Sequence, residues 1–354
     1  MQSLRQRCSI SEKINLQTGG GRKVIHNLFL LNVLALPATA TVTIDYVSVG
    51  NAGNAADSTG YGAVAYAYQI GKYEVTNAQY GEFLNAVDPG GANANGIYNT
   101  NMGRFGGITY TAGAASGSKY AIRTSMGDKP VNFVSWYDSA RFTNWLHNGQ
   151  GEGSTETGAY TLIGNTGIIT KNVGASVWLP SEDEWYKAAY YDPTVEAGGG
   201  DNYWTYATQS DTAPTIASAN STGDISNPGA NVANYASGAD WNSQNGNVTT
   251  VGSAGALAES YFGTADQAGN VLEWNDAVIV GSSRGLRGGS FLIVEGYLRA
   301  SLRNNNVPSS EGGGVGFRVA SSSIAAVPEP TSLLSMAGLL GGGLLLRRRS
   351  KNSL

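Results

Sequence analysis

A chain of 354 residues with 41% hydrophobic and 10% aromatic side chains can fill a core, which excludes a simply disordered polymer, although its 49 glycines promise much turn and loop. Between residues 41 and 326 it carries 13 Lys and Arg against 24 Asp and Glu, a net charge of −11, which excludes an electrostatic footprint for nucleic acid. The one cysteine, Cys8, and one of two histidines, His26, precede residue 41, so the rest can form no internal disulfide and keeps only His147.

Residues 1–40 read as a signal peptide region. Arg22 and Lys23 precede the apolar run VIHNLFLLNVLAL, and ATA ends at Ala40 in a small-x-small cleavage pattern. TVTIDYVSVG, apolar at Val42, Ile44, Tyr46 and Val49, and AVAYAYQIGKYEVT both predict strands. In TNAQYGEFLNAV, Thr76 and Gln79 have capping-box spacing, and Tyr80, Phe83, Leu84 and Val87 fall on one helical face. Residues 88–127 are a Gly- and Asn-rich loop with short strands at ITYTAG and YAIRTS. KPVNFVSWYDSARFTNWLHN predicts a strand end, Ser135 as cap and a helix from Trp136 to about His147.

GEGSTETGAYTLIG and NVGASVWLP predict two strands around a turn. PSEDEWYKAAYY starts a third helix, with Ser181 and Glu184 as a capping box and Glu182 and Asp183 in the first turn, where they suit the dipole. From 192 to 255 the chain is mostly Gly, Asn, Ser and Thr, punctuated by Tyr203, Trp204, Tyr206, Tyr235 and Trp241. That predicts an ordered but irregular coil, an arrangement that calls for ions or dense side-chain bonding. GNVLEW, SRGLRGGSF and GFRVA predict the closing strands.

A Ser-His-Asp arrangement would need His147 with Asp138 and Ser135, but all three lie on or before one helix and nothing marks an oxyanion hole. His147 reads as a helix C-terminal residue facing the dipole. A single histidine also excludes a His-rich iron or zinc centre.

At the C-terminus, Thr331 to Leu346 is apolar and Arg347, Arg348 and Arg349 follow. The run is slightly short for a span of roughly 17–25 residues, and flanking arginines can extend it while staying cytoplasmic. Pro-Glu-Pro, apolar run and arginine cluster, Val327 to Arg349, resemble a PEP-CTERM sorting tail. The resemblance implies a Gram-negative bacterium, export to the envelope or beyond, a transmembrane segment within residues 327–354 before processing, and an exosortase-type processing enzyme as a partner.

The stretches IGKYEVTNAQYGEFLNAV, KPVNFVSWYDSARFTNWL, TGAYTL, WLPSEDEWYKAAYY, DQAGNVLEWNDA, RGLRGGSF and GFRVA follow one another across residues 70–320. Together they resemble the formylglycine-generating enzyme family, the sulfatase-modifying factor domain. The resemblance implies an α+β, C-type-lectin-like fold with little regular secondary structure over residues 41–326. Family enzymes oxidise a substrate cysteine to formylglycine with copper held by two cysteines of their own. Aligned from Gly288, Gly289 and Ser290, those positions are Ile293 and Leu298. Soft thiolates select Cu(I) and aliphatic side chains cannot, so no copper is expected.

Calcium is expected. DQAGNVLEW supplies hard oxygen ligands close together: the side chains of Asp266 and Glu273 and the carbonyls of Gly269 and Val271, which match the family's calcium positions. A second family site would begin at Asn234 and Tyr235, with distal ligands around Asp240 to Asn247. Two functions stay open. One is a sulfatase-modifying oxidase acting on a protein cysteine, which the missing thiols oppose. The other is a secreted, non-catalytic module that binds carbohydrate or protein. For the second, Tyr297, Arg299, Arg303, Asn304, Asn305 and Asn306 offer an aromatic face, planar donors and amides. The same arginines could instead pair with carboxylates and hold loops.

Overall fold

The computed structural model describes residues 42–164, 167–195 and 201–322. The expected signal region and sorting tail lie outside the described residues. No helix among the described residues is long and apolar enough to cross a membrane.

In chain order the elements are β1 (Tyr46–Val49), β2 (Tyr68–Gly71), α1 (Asn77–Val87), α2 (Asn101–Arg104), β3 (Ile108–Tyr110), β4 (Tyr120–Ile122) and α3 (Trp136–His147). Then come β5 (Val177–Trp178), α4 (Glu182–Tyr190), β6 (Thr215–Ile216), β7 (Val232–Ala233), β8 (Leu272–Val278), β9 (Arg284–Arg287), β10 (Asn304–Asn306), β11 (Val315–Phe317) and β12 (Ala320–Ser322). Two four-stranded sheets organise them, in the orders β1-β2-β12-β5 and β10-β9-β8-β11. The first is antiparallel throughout. In the second only β11 runs parallel to its neighbour, β8. This is the expected C-type-lectin-like α+β fold with short elements and long connections.

The helices start where their caps are. Thr76 and Gln79 close a capping box on α1, and Ser181 and Glu184 close one on α4, as the spacing predicts. Ser135 does more than expected: with Asp138 it forms a third box on α3. The apolar faces of α1 and α3 meet in an aromatic core, where Tyr80, Phe83, Phe142, Trp145 and Phe317 lie ring against ring. A second cluster gathers Trp185, Tyr186 and Tyr190 of α4 with Tyr203, Tyr206 and Leu298. It anchors part of the long irregular stretch, in which the only strands among the described residues are the two-residue β6 and β7.

One expectation is corrected. The pair of strands around residues 151–180 reduces to the bridge Tyr160–Lys171 and to β5. The short strands expected at ITYTAG and YAIRTS are present and pair as the β3-β4 ladder. Asn304, Asn305 and Asn306 form β10, the edge of the second sheet, in register with Leu286, Gly285 and Arg284.

Candidate functional site

A concavity sits directly after the Arg-Gly-Gly-Ser run. It has a volume of about 390 Å3 and is lined by Phe105, Asn132, Phe133, the 243–246 loop, Phe291, Leu292 and Gly313. That volume suits a small ring ligand. Each wall has its own support. The Phe291 N–H donates to Asn270 O at 2.9 Å, and Phe291 O accepts from Ser237 N–H at 2.7 Å. Phe133 sits at φ 60°, rare for a bulky residue, and its N–H is held on Gly312 O at 3.0 Å. Asn132 Nδ2 donates to Gly313 O at 2.7 Å, while its buried Oδ1 finds no partner. Opposite, Asn242 and Ser243 both take positive φ between the bridged residues Trp241 and Gln244, a tight two-residue turn that presents Ser243 to Gly246. Phe105 and Leu292 remain 41% and 51% exposed at the mouth.

No cysteine, histidine or carboxylate lines this pocket. Its surface is aromatic and aliphatic with scattered amides and one hydroxyl. Its lining side chains offer no activated nucleophile and no acid–base pair.

The residues expected to contact ligand do not line it. Arg303 forks onto Glu182 at 2.6–3.0 Å, and Arg287 Nε donates to the same carboxylate at 2.9 Å. Both guanidinium groups also lie over the Tyr61 ring. Arg299 pairs with Glu295 at 2.8 Å. Both arginines therefore follow the carboxylate-pairing alternative. Asn304 and Asn306 turn their side-chain oxygens onto the next backbone N–H groups, and Asn306 Nδ2 donates to Ser310 Oγ. Tyr297 is 40% exposed, outside the pocket. His147 ends α3, bonded through Nδ1 to Ser176, whereas Ser135 and Asp138 cap the other end. Along α3 they stand about 13 to 18 Å from His147, so these three residues form no triad.

The sulfatase-modifying factor enzyme 1-like domain matches residues 46–323. The chain belongs to that family. Among solved structures, Treponema denticola variable protein 1 is 20% identical, with 80% of this chain and 97% of that chain covered and a TM-score of 0.48. CarF is 21% identical, covering 79% and 98%, at 0.43. PvdO from Pseudomonas aeruginosa is 18% identical, covering 79% and 92%, at 0.37. No curated protein matches.

Membership directs attention to the aligned thiol positions and the calcium ligands. Ile293 is half-buried and its carbonyl accepts from Ala236 N–H at 3.0 Å. Leu298 is buried in the α4 cluster, against Gly289. Gly289 has φ 77°, and a Cβ there would lie 2.6 Å from Leu298 Cδ1. Leu298 thus fills its position by packing.

Around the expected calcium ligands charge is in surplus. Glu273 is fully buried and forked by Arg318, with Nε to Oε2 at 2.6 Å and Nη2 to Oε1 at 2.7 Å, and Trp185 Nε1 adds a bond to Oε2 at 2.8 Å. Glu74 and Asp266 lie close enough to feel the same guanidinium. Three carboxylates therefore share one cation. Burial, and then the neighbouring Asp266 charge, pushes Glu74 far above the usual carboxylate range, and its Oε2 has no partner. Burial pushes Asp266 up to about 6 even though Gly252 N–H bonds its carboxylate. A cavity of about 10 Å3, room for one water or ion, touches Asp266.

Glu273 does not fit the expected role, since its oxygens already serve Arg318, and Asp266 is the expected side-chain ligand that borders this cavity. Gly269, at φ 91°, packs its backbone against Asn234, where a Cβ would lie 2.3 Å from Asn234 O. Val271 is buried in the core beside Phe291. At the second expected site Asn234 Nδ2 donates to Asn247 O at 2.8 Å and Asn234 Oδ1 is buried without a partner. Tyr235 OH is spent on Pro214 O, and exposed Asp240 holds Gly246 N–H. Among the described residues no three His, Cys, Asp or Glu side chains gather as metal ligands.

Proposed function

We propose that this chain is a non-catalytic binding module on the sulfatase-modifying factor fold, and that the pocket beside Phe291 takes the ring of a saccharide. The observation that carries the reading is the pocket's lining. Phenyl faces at Phe105, Phe133 and Phe291 suit the apolar face of a sugar ring, while Asn132, Ser243, Gln244 and Asn245 supply donors and acceptors for hydroxyls. A cysteine oxidase would need thiolates where Ile293 and Leu298 stand. Export by the N-terminal region and sorting by the tail belong to the same reading, with extracellular carbohydrate the ligand nearest to such a location.

Calcium is a further part of the proposal. Asp266 would hold it together with nearby carbonyls, the oxygen set that calcium takes, and it would neutralise the surplus carboxylate charge. Its contribution is to stability, not to chemistry.

The experiment is a glycan array probed with the purified full chain and with the double variant Phe105→Ala, Leu292→Ala. Both residues are exposed, so their truncation spares the core. The wild type is expected to capture a subset of saccharides, and the variant to lose about tenfold or more in affinity, the worth of roughly 1.4 kcal/mol of ring contact. An empty array, or capture unchanged in the variant, would overturn the pocket assignment.

A further inference from the structure

We infer that the pocket selects an anionic saccharide, a uronic acid or similarly charged ring, through Arg104 and Arg123 at its rim; this rests on the pocket reading above. The described residues include eight arginines. Six are ion-paired: Arg141, Arg284, Arg287, Arg299, Arg303 and Arg318. The two without a carboxylate are Arg104 and Arg123, and both converge on the same short loop. Arg104 is exposed and lies over the Phe105 ring, 4.7 Å from its centroid. Arg123 Nη1 donates to Arg104 O at 3.3 Å and to Gly106 O. Phe105 is itself a wall of the pocket.

In a domain with nearly twice as many acids as bases, two guanidinium groups without a carboxylate partner beside one aromatic wall need a physical reason. Stacking on Phe105 holds Arg104 in place and leaves its N–H edge free, which lowers the entropy lost when a carboxylate docks. A guanidinium edge matches a carboxylate with two parallel hydrogen bonds. The sugar ring would rest on Phe105, Phe133 and Phe291, its hydroxyls on the amides of the 243–246 loop, and its charge on Arg104. The domain's overall negative charge does not forbid this, since exposed charges are screened beyond about 10 Å at 0.1 M salt.

The test measures binding of the full chain, in EDTA, to three probes: oligogalacturonate, its fully methyl-esterified form, and oligoglutamate. Esterification removes the charge and keeps the ring. The wild type is expected to bind oligogalacturonate about tenfold more tightly than the ester, as one charge-assisted contact implies. Arg104→Gln is expected to erase that preference and Arg104→Lys to keep part of it, with melting temperatures unchanged. Equal binding of acid and ester, or a preference that survives Arg104→Gln, would overturn the anion inference while the saccharide pocket stands. Oligoglutamate bound as tightly as oligogalacturonate would assign the rim to an acidic peptide instead. Binding of none of the three would overturn the anion inference, whereas capture of a neutral saccharide on the array would leave the pocket reading standing.

Discussion

Arg318→Met is expected to remove about 3–5 kcal/mol of stability, the usual cost of leaving a buried charge without its partner. A domain has roughly 5–15 kcal/mol to lose, so much of the protein would be unfolded under conditions where the wild type is native. Arg318 and Glu273 are both 0% exposed. The guanidinium also donates to Gly71 O and Lys72 O at 3.0 Å and to Ala265 O at 2.9 Å. It thus joins the end of β2, the turn before β8, β8 itself and the chain after β11. Its loss strands Glu273 beside Glu74 and Asp266. Arg318→Lys cannot rescue it, because an ammonium has no planar fork for two oxygens and three carbonyls. The double change Arg318→Met, Glu273→Leu is expected to recover a large part, since the stranded charge goes too. Urea titration reads all three variants. A shift for Arg318→Met within about 0.5 kcal/mol, as for a surface residue, would show that the pair is not what ties these segments.

Stability is expected to fall as pH rises from about 5 to 8. Burial pushes Asp138 and Asp276 each up to about 7, and Asp266 up to about 6, above the unfolded value of 3.8. Glu74 moves the same way. A carboxyl with a raised folded pKa holds its proton better in the folded state. Its contribution is complete below about pH 4 and is lost as pH passes the folded value. Asp57 and Asp224 act oppositely. Asp57 is pulled below its usual range against burial, by hydrogen bonds from Tyr186 and Ser58, and Asp224 by bonds from Thr250, Thr222 and Asn220. Their contribution disappears below about pH 4. The optimum therefore lies near pH 4–5. Above it the loss is on the order of a few kcal/mol, a fall of roughly 5–10 °C in melting temperature for a domain of this size. Calcium at Asp266 would make the fall steeper in EDTA than in calcium, and Asp266→Asn would remove that difference. A melting temperature flat or rising from pH 5 to 8 would contradict the raised values. Identical curves with calcium and EDTA would remove the metal.

Much of this fold was legible because its signals are local. Thr76–Gln79 and Ser181–Glu184 carry a capping box within four residues, and the helices start there. Asp138 closes the third box, and an Asp at that position lies outside the usual Glu/Gln pattern. Asn304 to Asn306 became a strand against its composition, since asparagine is depleted in strands and only the register of β9 imposes it. The pocket was not legible for a similar reason. Its walls come from residues 105, 132–133, 243–246, 291–292 and 313, five places that no spacing rule connects. The ligand residues read between Tyr297 and Asn306 offered suitable donors, but Glu182, more than a hundred residues earlier in the chain, claims Arg303, and Glu295 claims Arg299.

Whether this family member binds or oxidises is decided most directly with a substrate of the second kind. The purified full chain is incubated with copper, oxygen and a sulfatase-derived cysteine peptide, and the peptide mass is followed. With Ile293 and Leu298 at the aligned thiol positions, the expected result is an unchanged cysteine peptide and no stoichiometric copper retained. A mass loss matching aldehyde formation, absent from controls without the protein, would contradict the account.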